Sequence, residues 1–412
     1  MNKATTFLLC ASMLTVMPRE SAAGSIDYLT NQSADYIRLL GRNASTDGPD
    51  IVAYNPAGLS FLPRDGLYLS LSNQMAFKSF EITYKDEVFG AFTVPAGGGR
   101  LTYEKGVPFL IPLGLQVPGG GMPTNGVFEG SSMFLAGTVG ASYGFADMIS
   151  VSAAARVISS RKTFIGQAQY TTSLAKLDAT KTALGVGGIF GLHIRPLRQL
   201  DIGIRYETET ALEFETESTT SNLKTEPNTA LAAFADGAKE KRNLPATLGV
   251  GIAYHVMDQL TLMGNFNYYF INEADSADDI EGNLGYVISY DDDYDNGIEI
   301  AFSVEYAFLP ELVASIGYDR AWSGGNENTF SDFEFHLSSH AVGGGARYTL
   351  FDRLDLSVGF AAIFYDEAQN ETVHPLISVV DPRGEPFHET YNKQNYVLAL
   401  SVGYRLFGDA DE

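Results

Sequence analysis

Cysteine is almost missing from this chain of 412 residues, and the one present, Cys10, lies near the N-terminus. A disulfide framework is thereby excluded. Positive charge is scarce as well. Lys and Arg number 27 against 50 Asp and Glu, a net charge of -23 with a pI near 4.6. That balance argues against nucleic acid, whose phosphates need clustered cations. No run of 18 apolar residues follows the leader, so no membrane-crossing helix is encoded. A mean hydropathy of -0.03 likewise excludes a multi-helix membrane protein. Charged residues make up only 19% and apolar residues 45%, which excludes a disordered chain.

What is abundant points to strands. The chain holds 42 Gly, 22 Tyr and 26 Phe, a mix that suits glycine-broken aromatic strands better than helices. At the N-terminus Lys3 is followed by the largely apolar Ala4 to Met17. Small residues at Ser21-Ala22-Ala23 then precede Gly24. This pattern reads as a secretory signal peptide over 1–23. Leu9 stands before Cys10 where a lipoprotein leader has a small residue, so Cys10 reads as an inert hydrophobe in a discarded leader. An exported chain of this kind is periplasmic, secreted or a barrel.

From Leu67 onward the chain alternates with period two. Leu200, Ile202, Ile204, Tyr206, Leu212 and Phe214 share one face, with Asp201, Arg205, Glu207, Glu213 and Glu215 on the other. A helical period separates no such sets, whereas a strand does so at once. The split returns in Leu248 to Val256 and in Ile298 to Phe308. Twelve strands follow, at 67–78, 133–145, 148–163, 182–195, 200–215, 246–256, 260–271, 297–308, 312–321, 338–350, 354–365 and 394–407. The stretch from Ser79 to Val117, broken by Pro95, Pro108 and Pro112, has room for two more. Short connections such as Ala146-Asp147, Met257 to Gln259 and Phe351 to Arg353 alternate with long ones: Phe164 to Lys181, Thr216 to Leu244, Asn272 to Asn296, Trp322 to Leu337 and Asp366 to Asn392. Acidic segments, Glu273 to Glu281 and Asp291 to Asp295, fall in the long ones. This reads as an all-β fold, a transmembrane antiparallel up-and-down β-barrel of about fourteen strands. Tyr68, Phe77, Tyr206, Phe214, Phe308, Phe364, Tyr396 and Tyr404 are candidates for its interfacial aromatic girdles.

The domains expected after the leader are an N-terminal segment over 24–64, the barrel over 65–407 and an acidic tail over 408–412. The N-terminal segment has helical spacing at Ala34, Ile37 and Leu40, and a second short helix could start at Asp47. It is too small for a core of its own. It is either a plug folded into the lumen or a periplasmic extension.

Gly41-Arg42-Asn43-Ala44-Ser45, then Asp47, then Tyr54-Asn55-Pro56-Ala57-Gly58-Leu59 before the first strand resembles the FadL/TodX family of outer-membrane transporters. The order of leader, hatch, turn and alternating strands extends the likeness over the mature chain. The resemblance implies a fourteen-stranded barrel with an N-terminal helical hatch in the lumen. It implies uptake of long-chain fatty acids or aromatic hydrocarbons, captured by extracellular loops, passed to a lumen pocket and released sideways into the membrane. Asn55, Pro56, Ala57 and Gly58 would form the hatch turn, and Gly24 would open the segment near the pocket. The stretch from Pro95 to Pro112 would suit an irregular early strand. Tyr404-Arg405-Leu406-Phe407 has the look of a terminal signal for the barrel-assembly machinery, although Gly408 to Glu412 follow it.

Ligand chemistry narrows to a few residues. The lumen-facing cations expected are Arg156, Lys162, Arg195, Arg205, Arg347 and Arg405. Each either grips a ligand carboxylate or pairs with a barrel acid, and Arg205 has Asp201 and Glu207 beside it. Arg156 is the first choice for ligand, because Ser152, Ala154 and Ile158 on its strand carry no acid. Phe164, Ile165, Tyr170, Leu174 and Leu177, with Leu223 and Leu231 to Phe234, either form an outer hydrophobic groove or pack on themselves. Among 6 His, His336 and His340 would sit about 13 Å apart along a strand, too far to share zinc, while His193 and His255 would face the lumen as hydrogen-bonding residues. Asp291, Asp293 and Asp295 lack the glycine and glutamate placement of an EF-hand, and no nucleophile elbow or Walker loop is present.

No metal, cofactor or catalytic site is therefore expected, and the chain reads as a non-enzyme: a passive channel for hydrophobic molecules in a Gram-negative-type outer membrane. Its expected partners are the hydrophobic ligand, outer-membrane lipid and lipopolysaccharide, and the assembly machinery. The alternative is a general diffusion porin, which would not need residues 24–63. An outer-membrane phospholipase or protease is a third reading, resting on His336, His340, His374 or His388.

Overall fold

The computed structural model describes residues 17–18, 32–62, 67–84, 87–90, 100–103, 124–145, 148–223, 234–274, 294–326, 329–330, 335–370 and 389–407. Its strands are β1 (Leu67–Tyr84), β2 (Glu87–Gly90), β3 (Arg100–Tyr103), β4 (Asn125–Phe145), β5 (Ile149–Gln169), β6 (Leu174–Leu197), β7 (Leu200–Glu207), β8 (Glu213–Ser221) and β9 (Lys239–Lys241). They continue as β10 (Thr247–Met257), β11 (Leu260–Tyr269), β12 (Gly297–Leu309), β13 (Leu312–Trp322), β14 (Ser339–Leu350), β15 (Leu354–Tyr365), β16 (Ala368–Asn370) and β17 (Glu389–Phe407). Three staves are interrupted, each made of two strands in line: β7 and β8, β9 and β10, and β15 and β16. Counting each as one gives fourteen staves among the described residues. The pairing is antiparallel throughout, and the last strand, β17, lies along the first, β1, from Glu389 opposite Tyr84 to Tyr404 opposite Leu69. A first-to-last ladder marks an up-and-down barrel.

The faces sort as lipid demands. Leu184, Val186, Phe302 and Ile316 are 70%, 64%, 63% and 61% exposed on the outside, whereas Ser152, Asn265, Asn267 and Ser303 are buried inside. Apolar out and polar in is the order of a membrane barrel and the reverse of a soluble sandwich. On β6 the outward apolar run extends from Leu184 to Ile194, the length that a tilted strand needs to cross hydrocarbon.

The expected long connection from Phe164 to Lys181 is instead a hairpin top. Both strands continue, β5 to Gln169 and β6 from Leu174, and Tyr170 N–H donates to the Ser173 carbonyl at 2.8 Å. Ala168, Ala175, Leu177 and Ala179 keep the inward alternation there, while Arg161, Gln167, Lys176 and Asp178 face out. The sheet therefore rises past the membrane with a water-facing outer side. Thr216 likewise begins no loop, since β8 runs on to Ser221. The expected loop segments within 224–233, 275–293 and 371–388, most of Pro95 to Pro112, and the tail after Phe407 lie outside the described residues, as do Gly24, His374 and His388.

Two girdle expectations are corrected. Tyr68 turns inward opposite Arg405, because Leu69 and Leu71 take the lipid face, and Phe214 turns inward for a reason given below. Tyr206, Phe308, Phe364, Tyr396 and Tyr404 do face outward, while Phe77 lies outside the described side chains.

Inside the ring sits the N-terminal segment. Helix α1 (Ala34–Leu39) is capped by the Ser33 hydroxyl, which accepts from Tyr36 N–H at 3.0 Å, and ends on Leu40 in the left-handed region at φ 55. Two 3-10 turns follow, Pro49–Ala53 and Pro56–Phe61. Helix α1 packs on β12 to β15 and β17, and the second turn packs on β4 to β6, so the segment is held between facing walls. Glycines permit this close seating. A Cβ at Gly203 would fall onto the Asn43 carbonyl, and one at Gly343 onto the Ile37 carbonyl and within 3.0 Å of Leu40. Gly343→Leu is therefore expected to leave the barrel folded, read as heat-modifiable migration on a gel, while opening residues 32–62 to protease. Gly137→Ala, where a Cβ meets nothing within 4 Å, should leave the segment protected.

Candidate ligand pocket and hatch

A buried charge network latches the hatch to the wall. Arg38 lies fully buried against Asp35 at 2.8 Å, with Glu305 of β12 on its other side. Arg42 holds Asp47 at 2.7 Å and Asp50 at 2.5 Å, and Arg347 of β14 reaches in to Asp47 at 2.5 Å. Ser357 of β15 donates to Asp35 at 2.9 Å, and Ser33 donates to Asp50 at 2.5 Å. Burial pushes the Asp35 and Asp47 carboxyls up, but the three guanidiniums outweigh it and hold both below the ordinary value of 3.8. At Asp50 burial wins over Arg42 and the carboxyl is raised.

The expected hatch turn takes a definite role. Asn55 is fully buried and caps the turn, its Oδ1 accepting from Ala57 N–H at 3.3 Å. Its Nδ2 donates to the Asn43 carbonyl at 2.9 Å and to the Leu192 carbonyl of β6 at 3.2 Å. One side chain thus ties the turn to itself, to the hatch and to the barrel. Pro56 starts the turn, Ala57 is fully buried, and a Cβ at Gly58 would meet the Ser45 carbonyl at 2.5 Å.

On the outer side of the hatch lies a buried apolar cluster, and it owes its existence to one extra residue. Between the pairs Thr182 opposite Glu215 and Ile189 opposite Glu207, β6 advances seven residues while its neighbour advances eight. A one-residue excess is a bulge, and it reverses which side chains point inward. Ile202, Ile204 and Tyr206 therefore face out, but Leu212 and Phe214 face in and are buried, with Glu213 and Glu215 outside. A single strand over 200–215 with one apolar face is thus corrected to two strands of opposite face. The bulge fits because Gly185 and Gly187 leave room: a Cβ at Gly185 would lie 2.8 Å from Leu212 and from Thr210.

The cluster is layered. Phe134, Ile158, Ala183, Leu212 and Phe214 form its middle, with Ala136 and Leu244 packed against them. Below lie Arg156 and Arg205, both paired to the one carboxylate of Glu207, and Arg205 Nε is buried without a hydrogen-bond partner among the described residues. Above, Lys162 stands over the Phe214 ring at 5.0 Å and Lys181 over the Phe234 ring at 4.8 Å. Lys181 also pairs with Glu240 of β9. Phe164 meets Phe234 edge-on at 5.4 Å and Phe128 at 6.3 Å. Two cations on one carboxylate leave a surplus positive charge beside the apolar cluster, an arrangement suited to an apolar molecule with an anionic end.

Other expected residues fall as follows. Arg156 does lack an acid on its own strand, but Glu207 reaches it from two staves away. Arg347 belongs to the hatch latch. Tyr170 is fully buried at the hairpin top, whereas Leu174 points outward at 37% exposure and is not brought to the pocket. His193 and His255 both bond Asp201, at 2.8 and 3.0 Å, beside Arg195 at the inner rim. His336 is buried while His340 faces out and meets the Tyr318 hydroxyl at 2.5 Å. Among the described residues no group of three or more His, Cys, Asp or Glu could hold a metal ion. Sequence reasoning missed Lys181, Phe214 and Glu240. The loss of alternation across Thr208-Glu209-Thr210-Ala211 was the available signal.

The fold and its contents define a class: a transmembrane barrel, of fourteen staves among the described residues, holding an N-terminal helical hatch with a buried apolar cluster beyond it. Solved structures of that fold are similar over nearly the whole chain. A FadL homologue from Pseudomonas aeruginosa aligns over 94% of this chain and 100% of its own, at TM-score 0.63 and 14% identity. The toluene transporter TodX from Pseudomonas putida aligns over 93% and 99%, at 0.60 and 13%. The toluene transporter TbuX from Ralstonia pickettii aligns over 91% and 98%, at 0.55 and 14%. The chain has the fold of these channels. No family model and no curated protein matches the sequence.

The latch predicts a pH window for the hatch. Asp35 and Asp47 are depressed below the unfolded value of 3.8, so their contribution is fully present above that value and fades as pH falls beneath it. The raised Asp50 runs the other way, favouring the hatch while protonated. Hydrogen exchange over residues 32–62 should therefore stay slow at neutral pH and quicken only as pH drops below about 4. Arg42→Met, which leaves the buried Asp50 without its guanidinium while Arg347 still holds Asp47, should speed that exchange at neutral pH by the equivalent of about 3–5 kcal/mol.

Proposed function

We propose that this protein is an outer-membrane channel for passive uptake of hydrophobic molecules, taken in at the outer end and held in the pocket between Phe134, Ala183 and Phe214. The observation that carries this reading is the seated hatch beneath a buried apolar cluster flanked by cations. A general diffusion porin conducts through an open aqueous eyelet, whereas here buried side chains of the hatch fill the space between facing walls. The charges select within the hydrophobic class. Arg156 and Arg205 at the floor, with Lys162 and Lys181 at the roof, favour a ligand that pairs an apolar body with a carboxylate, as a fatty acid does.

Release is proposed to be sideways. With the hatch latched, a straight path to the periplasm is filled, and the bulge offers another route. Between Ala183 and Gly188 the ladder to the neighbouring stave is interrupted, and Thr208 links to Gly188 at its end, the Thr208 N–H donating to the Gly188 carbonyl at 2.9 Å and the Gly188 N–H to the Thr208 hydroxyl at 2.8 Å. Leu184 and Val186 flank that gap on the lipid side. A ligand leaving there would exchange one apolar environment for another, which removes the cost of crossing water. The outward apolar belt would meet outer-membrane lipid, with lipopolysaccharide at the outer rim, and assembly would use the barrel-assembly machinery.

The test is uptake of a labelled long-chain fatty acid by cells lacking their own channel and supplied with this protein. Uptake without leakage of small sugars is expected. Ala183→Trp, which fills the pocket, should cut uptake at least about tenfold, while Val139→Trp on the lipid face should leave it unchanged. Sugars and ions crossing at equal rates in the parent and in Ala183→Trp would replace this reading with a porin. Entry of toluene without fatty acid would keep the channel and remove the carboxylate preference.

A further inference from the structure

On the wall opposite the pocket the lumen holds a carboxylate with a different character. Asp35, Asp47, Asp201, Glu207 and Glu240 each sit against a guanidinium, an ammonium or an imidazole. Asp319 of β13 does not. It is 1% exposed, and among the described residues neither of its oxygens has a hydrogen-bond partner. The next residue, Arg320, faces the other way, over the Trp322 ring and onto Asp366.

Register places a second carboxylate beside it. Asp319 lies opposite Ala301 of β12 and Ala341 of β14. Its diagonal neighbours on the lumen face are therefore Glu299 and Ser303 on one side and Ser339 on the other. Residues so related in an antiparallel sheet bring side chains within reach of one another. The Ser303 and Ser339 hydroxyls are also buried without a hydrogen-bond partner among the described residues. Small residues surround the spot, Ala301 and Ala341 across the sheet and Ala321 along the strand, while over Gly317 the Leu39 carbonyl of the hatch comes within 2.7 Å of where a Cβ would be. Over it lies the hatch: the Tyr36 hydroxyl donates to Glu299 at 3.2 Å, and Tyr269 and Asn267 donate to the same carboxylate at 3.2 and 3.0 Å. Burial and the charges of Glu299 and Asp319 push the Tyr36 phenol well above its ordinary value, consistent with both acids facing it.

We propose that Asp319 and Glu299, with the Ser339 hydroxyl level with Glu299 across Ala321, form a binding site for a hard divalent cation, calcium, at the hatch-to-wall contact. The donors are all oxygens, the set that calcium prefers, at about 2.3–2.6 Å. Two carboxylates neutralise a divalent ion, and burying them bare is otherwise costly. Through Glu299 and Tyr36 the ion would brace helix α1 from the side away from the arginine latch. The inference does not depend on what the channel carries.

Terbium is the probe, because it takes calcium sites and its emission is sensitised by nearby tyrosine, here Tyr36 and Tyr269. Titrating the full-length purified protein in detergent with terbium should give a saturable emission that calcium displaces. Asp319→Asn should lose that displaceable component. Because a variant could fail for other reasons, the parent protein carries a second readout: calcium at neutral pH should slow hydrogen exchange in residues 34–40. An unchanged terbium titration in Asp319→Asn would overturn the proposal. So would parent protein whose α1 exchange ignores calcium and slows only on acidification, since a proton shared between the two acids would then be the counter-charge.

Discussion

Hydrocarbon offers a peptide group no hydrogen bond, and the architecture follows from that constraint. Each stave must pair along both edges, so the sheet curls until its last strand meets its first. Pairing fixes strict alternation, and alternation puts Leu184, Val186, Phe302 and Ile316 into lipid while consigning Asn265, Asn267 and Asp201 to the interior. A lumen built from such residues would fill with water. The N-terminal segment occupies it instead, and glycines on the facing strands let its backbone approach closely enough to exclude solvent.

The same alternation explains why one extra residue has so large an effect. Along β6 and its neighbour, seven steps face eight, and everything beyond the excess residue changes sides. Leu212 and Phe214, which would otherwise be lipid-facing, become part of a buried interior cluster. Glu213, Glu215 and Glu217 move to the outer surface, above the apolar belt. The bulge buries the apolar cluster and interrupts the ladder in one stroke, at the level where the outward face is still apolar. Charge is then layered around the cluster, with guanidiniums beneath and ammoniums on aromatic faces above.

Much of this was legible in the residues. Strands from β10 to β15 show in their alternation, because both faces are chemically distinct over ten residues or more. The hatch turn could be seen in Asn55-Pro56-Ala57, which needs a cap, a turn starter and a small residue in that order. The top of the β5–β6 hairpin could not. Above the membrane its outer face becomes polar while its inner face stays mixed, so the pattern that marks a strand in lipid fades although the strand continues. Partners across staves were hidden for a related reason. Arg156 has no acid on its own strand, and Glu207 reaches it only because the barrel's curvature and register bring β7 round to it. Lys181 with Glu240, and the inward turn of Phe214, depend on the bulge, and a bulge announces itself in sequence by no more than a lapse in alternation from Thr208 to Ala211.

The central claim is that apolar molecules lodge in the chamber above a closed hatch. A crystal structure grown with a bromine-tagged long-chain fatty acid tests it most directly, since anomalous scattering locates the tag without reference to shape. The account predicts a bromine peak among Phe134, Ile158, Ala183, Leu212 and Phe214, with the carboxylate toward Arg156 and Arg205 or toward Lys162 and Lys181. A lumen without bromine, beside residues 32–62 displaced from the wall, would contradict it.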